Sequence, residues 1–195
     1  MKNLHIQFLD AESEMRSKSA SSSGLEDADD WLSQIRRMLS ILADRKKQQF
    51  GRRVSVGDLL TEGSENAAAY GFGQNTTMYD NVLVLGKVNV GRNCWIGPGC
   101  ILDGSGGGLE IGDWCDISAG VQIYTHHTVN RSTSLGKLPV DYAPTMIGNG
   151  VYIGPNAVIQ MGVTIGDQAV IGANSLVNRS VPAGAKAFGS PARIH

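Results

Sequence analysis

Two adjacent histidines, His126 and His127, are the side chains of this sequence best suited to acid–base chemistry. The other two of the four histidines, His5 and His195, lie near the termini. A neutral imidazole can take the proton from a hydroxyl group as its oxygen attacks an electrophile, and such a base accelerates a reaction by about 10²–10⁴-fold. The sequence carries no serine or cysteine in the pattern of a catalytic triad, so we expect a general base without a covalent intermediate.

The histidines lie within a six-residue repeat of aliphatic residues. Glycine follows most of these residues, and a small or compact apolar residue stands four positions further on. Six extended residues make one short strand, the glycine permits a bend, and stacked coils of such strands share one apolar core. The repeat therefore predicts a mainly β chain folded as a parallel β-helix. The aliphatic positions are Val84, Val90, Ile96, Leu102, Ile111, Ile117, Ile123, Ile147, Ile153, Ile159, Ile165, Ile171 and Val177.

The three cysteines, Cys94, Cys100 and Cys115, all occupy the small position of the repeat. A compact apolar residue is required there, and a free cysteine behaves as a small buried hydrophobe. The spacing therefore predicts a structural role for these thiols and argues against thiol catalysis.

The composition changes near Tyr70. Residues 1–70 hold 21 of the 35 charged side chains, whereas 21 of the 25 glycines come after them. We expect a mobile segment over 1–24, an α-helical segment over 25–70 and the β-helix over 71–195. Apolar residues at three- and four-residue steps from Leu25 predict a helix of about 20 residues, and a shorter helix is expected over 56–69.

The repeat is interrupted twice. Residues 103–108 place three extra residues between Leu102 and Ile111, as either a corner bulge or the wall of a binding pocket. Eighteen further residues precede Ile147, and an excursion loop over about 127–146 is favoured over an irregular extra coil. Loops of this length are usually functional, and His126 lies where this one leaves the β-helix.

The charge balance excludes several classes of function. The formal net charge of −1 provides no field for nucleic acid or an anionic membrane surface. The N-terminus does not have the pattern of a secretory signal, and no stretch is apolar enough to span a bilayer. We therefore expect a cytoplasmic protein.

The repeat, aliphatic-Gly-x-x-small-x over about 82–194, resembles that of the hexapeptide-repeat acyltransferases. The resemblance implies a left-handed parallel β-helix with three hexapeptides per coil, and a homotrimer with active sites between subunits. His126 in Tyr124-Thr125-His126 matches the catalytic histidine of the family, with His127 as the second choice.

The C-terminal coil is similar to that of acetyl-CoA-dependent members of the family. The resemblance implies that acetyl-CoA is the acyl donor, that no metal is needed, and that one group of residues contacts the cofactor. These residues are Ala173, Asn178, Arg179, Lys186 and Arg193.

The segments ENAAAYGFG, DGSGGG and IYTH look most like those of glycan O-acetyltransferases. This resemblance implies acetylation of a sugar hydroxyl, in surface-polysaccharide synthesis, with Asp103, Tyr124 and Asp141 as substrate-binding residues. N-acetylation of a nucleotide-linked amino sugar is the alternative within the class.

Two alternatives belong to other classes. A non-enzymatic β-helix scaffold would use the N-terminal helices as its partner surface. A zinc-dependent carbonic anhydrase with the same repeat needs three histidine ligands, and away from the termini only His126 and His127 exist.

Overall fold

The computed structural model describes residues 22–195, so the predicted mobile segment 1–24 lies outside the described residues except for its last three positions. The described chain divides into two compact units between Leu59 and Leu60. Within this part of the chain, no helix has both the length and the apolar character needed to cross a membrane.

The first unit is dominated by helix α1, Ser22–Phe50, which is longer than predicted. Its C-terminus is set by Gly51, whose φ of 68° suits the left-handed conformation that commonly ends a helix. The amide N–H of Gly51 donates to the carbonyl oxygen of Lys47 at 2.8 Å. Several apolar side chains of α1 are exposed, and the indole of Trp31 is exposed by 70%.

Two short helices replace the single helix expected over 56–69. They are α2, Val56–Leu60, and α3, Gly63–Ala69. The break occurs at Glu62, which has an extended backbone with φ −95° and ψ 148°. The amide N–H of Glu62 donates to the Glu65 carboxylate at 2.8 Å, which caps the start of α3.

The second unit is a parallel β-helix followed by a short antiparallel end. Its strands, in chain order, are β1 (Thr77–Met78), β2 (Leu83–Val90), β3 (Trp95–Ile96), β4 (Ile101–Ile111), β5 (Asp116–Ile117), β6 (Gln122–Ile123), β7 (His126–His127), β8 (Asp141–Tyr142), β9 (Thr145–Ile147), β10 (Tyr152–Ile153), β11 (Val158–Ile159), β12 (Thr164–Ile165), β13 (Val170–Ile171), β14 (Leu176–Val177), β15 (Lys186–Gly189) and β16 (Ala192–Ile194).

The β-helix has three faces, each a ladder of parallel strands. The first face stacks β1, β3, β5, β10, β13 and β15. The second face stacks the first halves of β2 and β4 with β6, β11 and β14, and the third face stacks their second halves with β9 and β12. In the uninterrupted coils the register advances by three hexapeptides, as where Val158 lies opposite Leu176. The predicted β-helix fold is confirmed.

The apolar core lies inside these three faces and follows the repeat. Twelve of the thirteen aliphatic positions are buried, and Val84 is half-buried against the same core. The small positions, including Cys94, Cys100 and Cys115, are also buried. Low charge and high glycine content therefore result from a narrow core enclosed by tight corners.

Both interruptions of the repeat emerge from one corner, between the second and third faces, which we call the second corner. Three extra residues separate the two halves of β4, because Gly104 pairs with Gly86 but Leu109 pairs with Val88. One coil later, the chain between β6 and β9 leaves the β-helix. It forms helix α4, Val129–Thr133, and an antiparallel pair of β7 with β8 rather than an extra coil. Neighbouring coils lie about 4.8 Å apart, so the two interruptions are stacked.

Candidate active site

The imidazole of His126 and the carboxylate of Asp103 are within hydrogen-bond distance of each other at the second corner. Asp103 follows Leu102 in β4, and His126 lies at the start of β7 on the next coil. Leu102 and Ile123 are paired on the second face, so the coil stacking brings the two side chains together. His126 Nδ1 lies 2.7 Å from Asp103 Oδ2.

The Asp103 carboxylate is fully buried and accepts several hydrogen bonds. Oδ1 accepts from the Ser105 hydroxyl at 2.6 Å and from the Ser105 amide at 3.0 Å. Oδ2 accepts from the Thr125 amide at 3.4 Å in addition to His126. Burial opposes the charged form and is the largest single influence, but the hydrogen bonds from Ser105, Thr125 and His126 together lower the pKa of Asp103. The carboxylate is therefore ionised at neutral pH.

An ionised carboxylate accepts hydrogen bonds and donates none, so it fixes the tautomer of His126. The proton of the neutral imidazole lies on Nδ1, and Nε2 keeps its lone pair. The side chain of His126 is 32% exposed, whereas Asp103 is 0% exposed. The arrangement provides a base at Nε2 with a buried acceptor behind it.

The glycine-rich insert after Asp103 closes onto this pair. The amide N–H of Gly106 donates to the Thr125 hydroxyl at 2.8 Å, and the Ser105 hydroxyl oxygen lies 3.2 Å from His126 Nδ1. A Cβ at position 106 would collide with the carbonyl oxygen of Thr125 and lie 2.9 Å from the Cβ of His126. The insert is thus part of the histidine's surroundings, and glycine is required where it contacts the next coil.

His127 points to the opposite side of the β7–β8 ladder, because successive side chains of a strand alternate. Its Nδ1 lies 3.4 Å from Asp141 Oδ2, and the same oxygen accepts a hydrogen bond from Asn130 Nδ2 at 3.0 Å. Asp141 therefore ties β8 to both His127 and α4. The predicted substrate residue Tyr124 is half-buried, and its hydroxyl donates to Gln122 Oε1 at 2.8 Å.

Asp103 has different surroundings from those expected of a substrate-binding residue. Its carboxylate faces His126 and the insert, and no part of the side chain reaches the surface. The sequence did not single out Ser105, Gly106 or Thr125 as members of the site. The insert itself was the signal that could have identified them. The period of the repeat places the insert one coil before His126, so its residues are expected to lie next to the histidine.

The predicted cofactor residues are exposed or line the corners of the last coils. Asn178 and Arg179 follow β14 at the second corner, two coils or roughly 10 Å along the β-helix axis from His126. Ala173 lies at the corner between the first and second faces. Lys186 is in β15, and Arg193 pairs with Phe188 where β16 runs antiparallel to β15. The fold brings Asn178 and Arg179 to the corner of the histidine but not the other three.

Residues 22–195 contain no cluster of three or more histidine, cysteine, aspartate or glutamate side chains that could hold a metal ion. His126 and His127 point to opposite sides of the ladder, which is incompatible with both serving as ligands of one ion in this chain.

Two family models match the chain. The model for the bacterial transferase hexapeptide (six repeats) matches residues 144–179, and the model for the hexapeptide repeat of succinyl-transferase matches residues 87–125. The second match contains Asp103, the glycine-rich insert and Thr125, and ends directly before His126.

Among curated proteins, nodulation protein L of Rhizobium meliloti (strain 1021) is 43% identical over 110 residues, which is 55% of this chain and 58% of that protein. Galactoside O-acetyltransferase of Escherichia coli (strain K12) is 35% identical over 69 residues, 35% of this chain and 32% of that protein. The chain thus spans about half or less of the length of these two relatives.

Among solved structures, a hexapeptide-repeat acetyltransferase from Vibrio cholerae O1 biovar eltor, in complex with acetyl-CoA, is 26% identical with a TM-score of 0.59. The alignment covers 91% of this chain and 90% of that one. A maltose O-acetyltransferase from Clostridium difficile 630 is 25% identical with a TM-score of 0.60, covering 82% of each chain. An N-acyltransferase from Bacillus cereus, solved with dTDP and coenzyme A, is 25% identical with a TM-score of 0.58, covering 64% of this chain and 70% of that one.

Proposed function

We propose that this chain, which two models of hexapeptide-repeat transferases match in part, is an acetyl-CoA-dependent acetyltransferase that acts on a sugar hydroxyl. The observation that carries the proposal is the pair formed by His126 Nδ1 and the buried Asp103 carboxylate, 2.7 Å apart. A base oriented in this way is what a hydroxyl acceptor requires, since an alcohol is a poor nucleophile until its proton is removed.

In the proposed reaction, acetyl-CoA supplies a thioester carbonyl. Nε2 of His126 takes the proton of the acceptor hydroxyl as the oxygen attacks that carbonyl. Asp103 stabilises the imidazolium that forms, because its carboxylate faces Nδ1. When the carbon–sulfur bond breaks, the imidazolium returns the proton to the sulfur of coenzyme A, which leaves an acetyl ester and restores the neutral base.

Asp103 is therefore a positioning residue in this proposal, and not a residue that touches the acceptor. His127 serves the loop through Asp141, which explains why the first of the two histidines is the one suited to catalysis. Tyr124 and Asp141 would act on the acceptor indirectly, Asp141 by holding the hairpin of β7 and β8 and Tyr124 by its place beside the histidine.

The donor would lie along the second corner toward the C-terminal coils. Asn178 and Arg179 stand exposed there, and arginine can hold a phosphate through two parallel hydrogen bonds. Ala173, Lys186 and Arg193 lie on other sides of this chain, so they would serve a donor bound between neighbouring subunits of the proposed homotrimer. The site of one subunit would then be completed by the next.

N-acetylation of a nucleotide-linked amino sugar is the second candidate, and the similarity to the Bacillus cereus N-acyltransferase favours it. The His126–Asp103 pair favours the hydroxyl acceptor, because a neutral amine attacks a thioester with less need of a base. The linkage in the product separates the two, since an O-acetyl ester is cleaved by alkaline hydroxylamine and an N-acetyl amide is not.

Calorimetric titration with acetyl-CoA tests the donor assignment. We expect saturable micromolar binding near one site per chain, and we expect Arg179→Ala to weaken it. Arg92→Ala is the control and should leave binding unchanged. The Arg92 guanidinium lies 2.9 Å from the Asp113 carboxylate, and this pair is not at the second corner. The absence of binding at millimolar acetyl-CoA would reject the proposal and favour a scaffold that uses other surfaces.

A further inference from the structure

The β7–β8 ladder places an aromatic ring beside the histidine. His126 lies directly opposite Tyr142, and His127 lies opposite Asp141. Residues directly opposite each other in an antiparallel ladder project their side chains to the same side. One side of this small ladder therefore carries the base and a phenol ring, and the other carries the His127–Asp141 contact.

The ring of Tyr142 is close to the imidazole but is not buried by it. The two ring centroids are 6.2 Å apart, and the ring planes are inclined by 38°. Tyr142 is 62% exposed, whereas Tyr124, three residues after Val121 in the coil, is half-buried and hydrogen-bonded to Gln122. The exposed ring beside the partly exposed base leaves apolar surface in contact with water, which is unfavourable unless a ligand covers it.

The backbone around Tyr142 is held in place from both sides. The carboxylate of Asp141 contacts His127 and accepts from Asn130, and the amide N–H of Ala143 donates to the carbonyl oxygen of Thr125 at 2.9 Å. Thr125 also receives the Gly106 amide on its hydroxyl. The backbone that carries the ring is thus hydrogen-bonded to Thr125, the same residue that binds the insert at the second corner.

We infer that Tyr142 is the platform on which the pyranose ring of the acceptor stacks. This inference rests on the proposed function and specifies its acceptor subsite. A pyranose presents a face of C–H groups, which packs on an aromatic ring, and hydroxyl groups at its rim. With the sugar face on Tyr142, a rim hydroxyl lies toward Nε2 of His126. The subsite recognises a cyclic sugar and takes an open-chain polyol poorly.

The kinetic test compares Tyr142→Ala, Tyr142→Trp and Tyr152→Ala with the wild-type protein, using methyl galactopyranoside and methyl glucopyranoside as acceptors. Tyr152 is a matched control, because it is an exposed tyrosine on the first face. We expect Tyr142→Ala to raise the acceptor KM about tenfold, with the acetyl-CoA KM unchanged, and Tyr142→Trp to retain the wild-type KM. An unchanged acceptor KM in Tyr142→Ala, or an equal loss in Tyr152→Ala, would overturn the inference.

A second measurement does not depend on turnover. Saturation-transfer difference NMR with the same two glycosides reports which sugar protons contact the protein. We expect the strongest transfer at ring C–H protons of one face, and loss of that pattern in Tyr142→Ala. If the wild-type protein binds the sugar in this way but transfers no acetyl group, the proposed function fails while the subsite stands. If no sugar signal is seen, the subsite itself is rejected.

Discussion

The coils from Tyr152 to Val181 and the coils from Trp95 to Ile147 follow the same repeat but differ at one corner. In the later coils, four residues connect β11 to β12 and the backbone turns directly onto the third face. In the earlier coils the same corner carries the glycine-rich insert and the β7–β8 hairpin. The core residues are buried alike in both regions, so the repeat that builds the β-helix leaves this corner free to carry chemistry. The comparison teaches that departures from a structural period, when they stack, bring together side chains that are distant in the sequence, as they do for Asp103 and His126.

The largest effect is expected at the histidines. His126→Gln should reduce acetyl transfer by about 10²–10⁴-fold, because it removes the base, while circular dichroism and the melting temperature stay close to wild type. His127→Gln is the matched control and should retain most of the activity, since His127 faces Asp141. A greater loss of activity in His127→Gln than in His126→Gln would show that His127, and not His126, is the base.

Asp103→Asn should follow, with a loss of kcat on the order of 10²-fold, because an amide can donate to Nδ1 and favour the wrong tautomer of His126. The KM for acetyl-CoA should not change, since the side chain is buried behind the histidine. Steady-state kinetics separates the two constants. A change confined to the acceptor KM would instead support direct contact of Asp103 with the acceptor.

Two glycine substitutions compare the regions directly. Gly106→Ala pushes the insert away from Thr125, and a shift of about 1 Å near the base can reduce turnover by about 10²-fold. Gly154→Ala creates a similar collision in a regular coil, 2.6 Å from the Ala173 amide nitrogen. We expect Gly106→Ala to lose activity with a modest change in melting temperature, and Gly154→Ala to do the reverse. Equal losses of activity per folded molecule would erase the distinction between the regions.

The lowered pKa of Asp103 predicts a pH dependence of stability. Because the folded pKa lies below the unfolded value, the carboxylate stabilises the fold above the ordinary carboxyl pKa, and this contribution is lost as the pH falls through the folded pKa. The free energy of unfolding of Asp103→Asn should therefore be lower than that of wild type at neutral pH, and the two should converge in acid. Denaturant titrations at pH 7 and near pH 3 measure this, and a deficit independent of pH would contradict it.

The smallest effect is expected at Cys100. Burial raises the pKa of its thiol, and Sγ donates to the carbonyl oxygen of Ser118 at 3.0 Å. Cys100→Ala should keep wild-type acetyl transfer, because the thiol takes no part in the reaction, and should lose only a little stability from the smaller side chain. A strong loss of activity with the fold intact would reopen thiol chemistry.

The sequence predicted the β-helix well because the six-residue period has a direct physical cause. Each aliphatic residue of the repeat must point into the core, and Ile153, Ile159 and Ile165 are all buried as the period requires. It also predicted His126 as the base from its place at the loop, and that role stays a prediction. It did not predict the partner of that histidine. Asp103 and His126 are 23 residues apart, and they meet only because an insert in one coil folds against the next, so the contact depends on corner geometry that a period does not specify.

Tyr142 escaped sequence reasoning for a related reason. Its position opposite His126 is set by the register of a two-residue antiparallel ladder, which joins the start of the excursion to its end and follows no repeat. The same register places the side chains of His126 and His127 on opposite sides of the ladder with different partners, and the sequence alone did not predict those partners.

The most direct test of the account is product analysis after the protein is incubated with acetyl-CoA and a panel of pyranosides and amino sugars. The account predicts that one sugar gains a single acetyl group as a hydroxylamine-sensitive ester and that one molecule of coenzyme A is released per acetyl group transferred. His126→Gln should reduce the rates of both by about 10²–10⁴-fold. A hydroxylamine-resistant amide as the sole product would contradict hydroxyl transfer. A wild-type yield from His126→Gln would contradict the assignment of the base.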